Sequence, residues 1–283
     1  MLGKIAVIGA GTMGAGIAQV SALAGYGVVL YDISQDVLDG SLARMQVSID
    51  KGVARGKTEP DTAAKAKTAI ILTTSLAEAA QADLVIEAAP EKIELKRQIF
   101  GELATAAADH TILASNTSSL SVNVLAAAAQ RPSQFIGLHF FNPAHIMKLV
   151  EVIRGDETSQ ETLQTAWAYV ESLGKTAVLC KDTPAFIVNR VARPFYSEAF
   201  RLLGEEAADV ATIDNLLKSL GFRMGPFELI DLIGSDVNFA VTQSVYNAYF
   251  HEPKYRPHPI QQRMVESGRL GRKAGKGFYE YNL

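Results

Sequence analysis

The sequence predicts an α/β protein in which a mainly parallel sheet is followed by an all-helical C-terminal domain. Two observations support this fold class. Short apolar runs typical of buried strands alternate with helical stretches as far as Leu179, which is the pattern of a doubly wound sheet. After Pro184 the strand patterns stop and amphipathic helical patterns follow. We therefore expect one domain over residues 1–184 and a second over residues 185–283.

The runs with the length and composition of strands are Lys4–Ile8, Val28–Tyr31, Ile70–Thr73, Leu84–Glu87, Ile112–Ser115, Phe135–Phe140, Leu149–Ile153 and Thr176–Leu179. Residues 36–69 interrupt the series with polar helical patterns, and Pro60 divides them into a hairpin of two helices. A connection of that size exceeds a plain crossover and suggests a functional insert. No helical pattern separates Phe140 from Leu149, so we expect those two strands to pair antiparallel at an edge of the sheet.

Composition excludes several classes of function. A formal net charge of −3, with Lys and Arg scattered along the chain, argues against general nucleic-acid binding. The single cysteine fits a reducing compartment, and the five histidines lack metal-ligand spacing. The N-terminus has no signal-peptide pattern, and no apolar stretch approaches the ~20 residues that span a bilayer. We expect a cytoplasmic protein that binds neither a membrane nor a metal ion.

A glycine-rich turn follows the first predicted strand and opens a helix. Gly9, Gly11 and Gly14 form a G-x-G-x-x-G pattern, with Thr12 and Met13 before the third glycine. The first glycine permits a tight turn, the second lets the backbone approach a pyrophosphate, and the third allows close packing of the helix on the strand. The helix N-terminus stabilises phosphate charge. This context predicts a Rossmann-type dinucleotide site.

An aspartate follows the second predicted strand and points to the type of dinucleotide. The Asp32 carboxylate is suited to accept hydrogen bonds from ribose hydroxyls and would repel a 2′-phosphate, which favours NAD over NADP. The alternative is that Asp32 caps a helix in a fold that binds no ligand.

A histidine and a glutamate lie on neighbouring apolar strands. His139 is near the end of its strand, where open α/β sheets bind ligands, and imidazole suits proton abstraction from an alcohol. Glu151 is an isolated carboxylate in the next strand, where an unpaired charge is unfavourable to bury. We hypothesise that Glu151 orients His139 and stabilises its protonated form. The alternative is a core histidine, with Glu151 paired to an arginine.

Two polar positions stay ambiguous from pattern alone. The cluster Ser115–Ser119 follows an apolar strand, a position typical of a helix N-cap and also of a catalytic loop. Asn189 lies on the apolar opening turns of a helix that we expect to begin at Phe186, where an amide needs a buried partner.

Taken together, these segments resemble the L-3-hydroxyacyl-CoA dehydrogenase family in its short stand-alone form, the 3-hydroxybutyryl-CoA dehydrogenase type. The likeness runs nearly from end to end of the chain. It rests on the ordered motifs VIGAGTMGAGIA, YDIS, DLVIEAAPE, ASNTSSLS, GLHFFNP, MKLVEVI, KDTPAFIVNR, MGPFELID and GRKAGKGFYEY.

The resemblance implies NAD-dependent, reversible oxidation of a short-chain (S)-3-hydroxyacyl-CoA, such as 3-hydroxybutyryl-CoA, to the 3-oxoacyl-CoA. It implies that His139 is the general base, that Glu151 holds it, and that Ser118 and Asn189 bind the substrate oxygens. Beside Asp32 and the glycine loop, the residues implied to line NAD are Ala88, Glu91, Lys96, Ser118, Asn142 and Lys273.

The resemblance also assigns the helical hairpin to CoA. Ser48 matches a family contact position, and Arg55 stands where the family has lysine; either cation can bind a phosphate, arginine as a bidentate fork. Lys51 and Lys57 would add to the attraction, and the alternative for all four residues is a solvated helical face. His145, near the implied site, is either a contact to the substrate tail or an ordinary surface histidine.

Local similarity narrows the branch of the family. NRVARPFYSEA and DVNFAV resemble the bacterial phenylacetate-degradation branch, whose members act on 3-hydroxyadipyl-CoA. Arg193 or Arg201 would then meet the distal carboxylate, unless both are ordinary helix-surface arginines. Ala185 stands where the family usually has glycine, a change expected to tighten the approach to Asn189.

Two alternatives belong to other classes of protein. A non-enzymatic structural relative, or a module that senses NAD, would not require an intact pair of His139 and Glu151. The helical C-terminal domain is too small to bury all its apolar faces alone. We therefore expect a homodimer.

Overall fold

The computed structural model describes residues 2–282 and divides the chain between Thr183 and Pro184. The first unit is built around a sheet and the second around packed helices. Within residues 2–282, no helix has the length and apolar character needed to cross a membrane.

The first unit contains an eight-stranded sheet. Its strands are β1 (Lys4–Ile8), β2 (Gly27–Tyr31), β3 (Ile70–Thr73), β4 (Leu84–Glu87), β5 (Ile112–Ser115), β6 (Phe135–Phe140), β7 (Leu149–Arg154) and β8 (Thr176–Lys181). They lie in the order β3-β2-β1-β4-β5-β6-β7-β8, and β1 to β6 are all parallel. This arrangement confirms the predicted fold class. Because parallel strands end at one edge, the glycine loop, Glu87, Ser115 and His139 all come to the same edge of the sheet.

The helices of this unit are α1 (Thr12–Leu23), α2 (Gln35–Ala54), α3 (Pro60–Thr68), α4 (Leu76–Ala79), α5 (Ile93–Ala106), α6 (Val122–Ala128) and α7 (Gln160–Ser172). The predicted helical hairpin is confirmed as α2 and α3. The Ser34 hydroxyl caps α2 by accepting a hydrogen bond from the backbone N–H of Val37. Pro60 begins α3, where its missing N–H removes no helical hydrogen bond.

The pairing of β6 with β7 is antiparallel, as predicted, but its predicted position at an edge is wrong. Strand β8 pairs parallel with β7 and itself forms the edge. The reason is α7, which supplies the crossover that two neighbouring parallel strands require. The pair of β6 and β7 is therefore flanked by β5 and β8 within the sheet, which suits a site that must bury charge.

The second unit consists of α8 (Val188–Gly204), α9 (Val210–Ser219), α10 (Pro226–Ile233), α11 (Ser235–Ala248) and α12 (Pro259–Glu266), with two short β-bridges near its end. Its core packs the rings of Phe200, Phe227 and Phe278 against each other. Helix α8 begins two residues later than predicted because Ala185 and Phe186 have φ of 66° and 52°, outside the helical region. At Ala185 this left-handed backbone explains why a glycine would be accommodated more easily.

Candidate active site

The glycine loop joins β1 to α1 with little room for side chains. Gly9 has a φ of 101°, and its N–H donates to the Tyr31 carbonyl at 2.8 Å. A Cβ on Gly14 would lie 1.8 Å from the Gly9 carbonyl oxygen, whereas a Cβ on Gly11 would have no protein atom within 4 Å. The open side of Gly11 is therefore the face on which a pyrophosphate can approach the backbone.

Asp32 links the end of β2 to the glycine loop. One of its carboxylate oxygens accepts from the Ala10 N–H at 2.8 Å, and the other accepts from the Ser34 N–H at 3.2 Å. The side chain is half-buried. These bonds fix the carboxylate beside the loop, and each oxygen keeps a second lone pair for a ribose hydroxyl.

A buried ion pair lies beneath the ends of β4 and β5, and sequence reasoning missed one half of it. Lys96 Nζ lies 2.6 Å from Glu87 Oε1 and 3.2 Å from Glu91 Oε2, and its side chain is 1% exposed. Burial raises the pKa of Glu87, although the ion pair with Lys96 opposes that shift. Lys96 therefore lies behind Glu91, and any contact with a cofactor would run through that glutamate. An isolated glutamate ending the apolar run Leu84–Glu87 was the available signal.

Glu91 organises the loop that carries Ser118. Its Oε1 accepts from Thr117 Oγ1 at 2.6 Å and from the Ser118 N–H at 2.7 Å. The cluster Ser115–Ser119 does not cap the next helix, since Ser121 caps α6. Ala88 and Ser118, both half-buried, follow neighbouring strands at the edge that holds the glycine loop.

His139 and Glu151 form a buried pair. They lie opposite each other in the antiparallel register of β6 and β7, and His139 Nδ1 is 2.7 Å from Glu151 Oε2. His139 is 5% exposed and Glu151 is 0% exposed. The alternative in which Glu151 pairs with an arginine is wrong, because its partner is His139. The carboxylate therefore faces Nδ1 and holds the imidazole in one orientation.

Neighbouring groups hold the pair in place. The Phe140 N–H donates to Asn116 Oδ1 at 2.9 Å, which fixes the end of β6, and the Phe141 ring lies 4.4 Å from the imidazole. Asn142 is exposed in the loop that follows. On β8, burial and the nearby Glu151 and Asp182 carboxylates raise the pKa of the Cys180 thiol to about 12. Cys180 is thus an unreactive thiol beside the pair.

A basic cavity of about 650 Å³ lies beside the helical hairpin. Ser48 and Arg55, both singled out from the sequence, line it, and Gln19 Nε2 donates to Ser48 Oγ at 3.1 Å. Its other cationic or titratable lining residues are Lys51, Lys57, His145, Lys148 and Lys175. No aspartate or glutamate lines it among the residues that the structure describes. Such a surface favours an anionic ligand.

Four further candidates belong to the second unit. Asn189 is half-buried on the first turn of α8. Lys273 is exposed and its Nζ lies 2.6 Å from an Asp236 carboxylate oxygen. Arg193 is 4% exposed on α8, so it is not the surface arginine of the alternative prediction. Arg201 is an ordinary surface arginine, since it pairs with Glu198 at the surface.

The glycine loop with Asp32 and the buried pair of His139 and Glu151 define a dinucleotide-dependent oxidoreductase of the Rossmann class. Residues 4–183 match the family model described as 3-hydroxyacyl-CoA dehydrogenase, NAD binding domain, and residues 186–281 match the model of its C-terminal domain. The chain belongs to the 3-hydroxyacyl-CoA dehydrogenase family, and its cofactor is NAD. The resemblance and the cofactor predicted from the sequence are confirmed.

Known relatives span the length of the chain. A 3-hydroxyadipyl-CoA dehydrogenase of Escherichia coli is 48% identical over 98% of this chain, which spans only 58% of that relative's length. A 3-hydroxybutyryl-CoA dehydrogenase of Bradyrhizobium diazoefficiens is 44% identical over 98% of this chain and 95% of its own. The crystal structure of (S)-3-hydroxybutyryl-CoA dehydrogenase from Ralstonia eutropha superposes with a TM-score of 0.96 at 40% identity, covering 100% of both chains.

Proposed function

We propose that this protein oxidises short-chain (S)-3-hydroxyacyl-CoA thioesters, such as 3-hydroxybutyryl-CoA, reversibly to the 3-oxoacyl-CoA. The observation that carries the proposal is the contact of 2.7 Å between His139 Nδ1 and Glu151 Oε2, buried at the ligand-binding edge of an NAD-binding sheet. The two relatives named for 3-hydroxybutyryl-CoA support the choice of substrate.

In the proposed mechanism, His139 acts as the general base through Nε2, because Nδ1 faces Glu151. It takes the proton of the 3-hydroxyl group as the electrons of that O–H bond form the carbonyl. NAD supplies the acceptor for the hydride that leaves C3. Glu151 stabilises the imidazolium so produced, and proton transfer of this kind contributes roughly 10²–10⁴-fold to the rate. In the reverse direction the imidazolium returns the proton to the oxygen.

The remaining candidates have binding roles in this proposal. Ser118 and Asn189 hydrogen-bond the substrate oxygens. Glu91 orients Ser118 through the hydrogen bond from its backbone N–H. The NAD-binding set comprises Gly9, Gly11, Thr12, Met13, Gly14, Asp32, Ala88, Glu91, Ser118, Asn142 and Lys273, with Lys96 acting through Glu91.

The basic cavity beside the hairpin is the proposed site for the nucleotide part of CoA. That group carries a 3′-phosphate and a diphosphate, and the cavity offers Ser48, Arg55 and several lysines without a carboxylate in the described lining. Arginine binds phosphate bidentately, whereas lysine acts as a point charge.

A second candidate substrate, 3-hydroxyadipyl-CoA, is favoured by the surroundings of Arg193. Its Nη1 donates to the Asn238 carbonyl at 3.1 Å and to Thr242 Oγ1 at 3.0 Å, and no carboxylate pairs with it within residues 2–282. Arg193 Nε, Asn238 Nδ2 and Ser235 Oγ are all buried without a hydrogen-bond partner. Burial lowers the pKa of Arg193 to about 10. A carboxylate on the acyl chain would compensate both the charge and the unpaired donors.

Assembly and location complete the proposal. We propose a cytoplasmic homodimer acting in fatty-acid β-oxidation, joined through exposed apolar residues of the second unit such as Val191, Leu220 and Phe222. Sedimentation velocity tests the dimer, and a mass equal to one chain at micromolar concentration would contradict it. Fractionation of the source cells tests the location, and a membrane-bound or secreted protein would contradict it.

The test of the reaction is NADH consumption with acetoacetyl-CoA. We expect rapid loss of NADH absorbance with acetoacetyl-CoA and little with acetoacetate, because acetoacetate lacks the CoA that the basic cavity binds. No consumption of NADH with any short 3-oxoacyl-CoA would overturn the proposed function.

A further inference from the structure

Lys175 joins the basic cavity to the loop behind the catalytic strands. It follows α7, is half-buried, and lines the cavity. Its Nζ donates to the carbonyl oxygens of Ala144 at 2.6 Å and Met147 at 2.7 Å. No carboxylate forms an ion pair with Lys175 anywhere in the described chain. The ammonium therefore has two neutral acceptors and a third proton that it can direct to a ligand.

The loop that Lys175 holds connects the two strands of the buried pair. Residues 141–148 run from the end of β6, which carries His139, to the start of β7, which carries Glu151. Most of this loop is exposed, but Ala144 is buried against Gly16 of α1, where a Cβ would lie 3.0 Å from the Ala144 methyl. The loop is thus fixed at Ala144 by packing and on both sides of His145 by Lys175.

An anion in the cavity would strengthen this attachment. Burial leaves the Lys175 ammonium poorly solvated, which lowers its pKa. A phosphate in the cavity would accept the third ammonium proton and keep the side chain charged and in place, so that its charge-assisted hydrogen bonds to the two loop carbonyls hold the loop.

We propose that Lys175 is a positioning residue that couples a phosphate of the CoA nucleotide in the cavity to the geometry of His139 and Glu151. The coupling rests on the proposed function, since it needs an acyl-CoA substrate. It means that binding energy from the nucleotide, remote from C3, is used in the chemical step. Truncating the substrate should then lower kcat and not only raise KM.

The experiment compares acetoacetyl-CoA with acetoacetyl-pantetheine, which lacks the nucleotide, at saturating NADH. For the unmodified protein we expect kcat to fall roughly 10-fold to 100-fold with the truncated substrate, the factor that a charge-assisted hydrogen bond is worth. Adding adenosine 3′,5′-bisphosphate should restore part of that kcat by filling the cavity separately.

Variants at two lysines of the same cavity separate coupling from simple attraction. Lys175→Met should lower kcat with acetoacetyl-CoA towards the value for the truncated substrate, and it should abolish the restoration of kcat by the bisphosphate. Lys175→Arg should recover part of the kcat and part of the restoration. Lys57→Met should raise KM for acetoacetyl-CoA while kcat and the restoration persist, because Lys57 has no contact with the loop carbonyls. Lys175→Gln serves if Lys175→Met does not fold.

Each outcome decides between the two claims. Equal kcat values for both substrates, or restoration by the bisphosphate that persists in the Lys175 variants, would overturn the coupling and leave the proposed function intact. Absence of turnover with acetoacetyl-CoA would overturn the proposed function itself.

Discussion

At the scale of single residues, the candidate site depends on charges that are buried only because each has a partner. Glu151 is fully buried against His139, and Glu87 is fully buried against Lys96. A buried carboxylate without a partner is strongly unfavourable, so both pairs are fixed arrangements. Arg193 is the exception, since it is buried with neutral acceptors alone.

That exception gives a prediction about substrate choice. If Arg193 meets a distal carboxylate, Arg193→Met should reduce kcat/KM for 3-hydroxyadipyl-CoA roughly 10-fold or more while changing that for 3-hydroxybutyryl-CoA much less. The matched control is Arg201→Met on the same helix, which should leave the ratio unchanged because Arg201 is exposed and paired with Glu198. Equal losses for both substrates in Arg193→Met would exclude a selective role.

His145 gives a prediction about pH. Burial and the nearby Lys175 lower the pKa of His145, so the imidazole is largely neutral near pH 7. A bound phosphate would raise that pKa, so binding takes up a proton and becomes tighter as the pH falls from about 8 to about 6. Titration calorimetry of adenosine 3′,5′-bisphosphate in buffers of different ionisation enthalpy measures the uptake.

The control for this measurement is His145→Gln, because the phosphate itself also titrates, with a pKa of about 6. Arg55 and the lysines of the cavity line it together with His145 in both proteins, so the comparison isolates the imidazole. The variant should bind with less proton uptake than the unmodified protein. Identical uptake by the two proteins would show that His145 does not respond to the ligand.

At the scale of elements, the glycine loop separates folding from cofactor binding. Gly14→Ala would push a methyl against the Gly9 carbonyl, and we expect it to lower the free energy of unfolding by about 1–3 kcal/mol. Gly11→Ala has space in the folded chain and should unfold like the original protein, yet raise KM for NADH about 10-fold where the methyl meets the pyrophosphate. Thermal unfolding and NADH kinetics measure the two effects. A normal KM in Gly11→Ala would contradict the placement of the pyrophosphate.

Strand periodicity and turn chemistry predicted most elements of the first unit, because its strands are short apolar runs between clear breaks. That β7 lies inside the sheet and not at its edge was not predictable from β6 and β7 alone, since it depends on where α7 returns the chain. The late start of α8 was hidden for a different reason. Ala185 and Phe186 are ordinary helix residues by composition, and only the folded backbone gives them a positive φ.

The site shows the same division between local and distant information. The pairing of His139 with Glu151 could be inferred because the two strands are consecutive and the register is antiparallel. The contacts of Lys175 could not be inferred, because this residue follows a helix distant in sequence from the loop. It also donates to backbone carbonyls, which leave no pattern in the sequence.

At the scale of the whole molecule, the proposed function depends on an NAD-binding sheet, a basic cavity and the buried pair of His139 and Glu151. Each belongs to residues 2–183, and the helical unit contributes Asn189, Lys273 and Arg193 to the proposed function. The central step of the proposed function is removal of the 3-hydroxyl proton by His139, since the other assigned residues hold either the ligands or the imidazole for that step.

The most direct test is the kcat for NADH oxidation by acetoacetyl-CoA in His139→Gln, measured together with the Kd for NADH. We predict a fall in kcat of roughly 10²–10⁴-fold with an unchanged Kd, because glutamine keeps the size and polarity of the side chain but cannot exchange the proton. A kcat close to that of the original protein would contradict it.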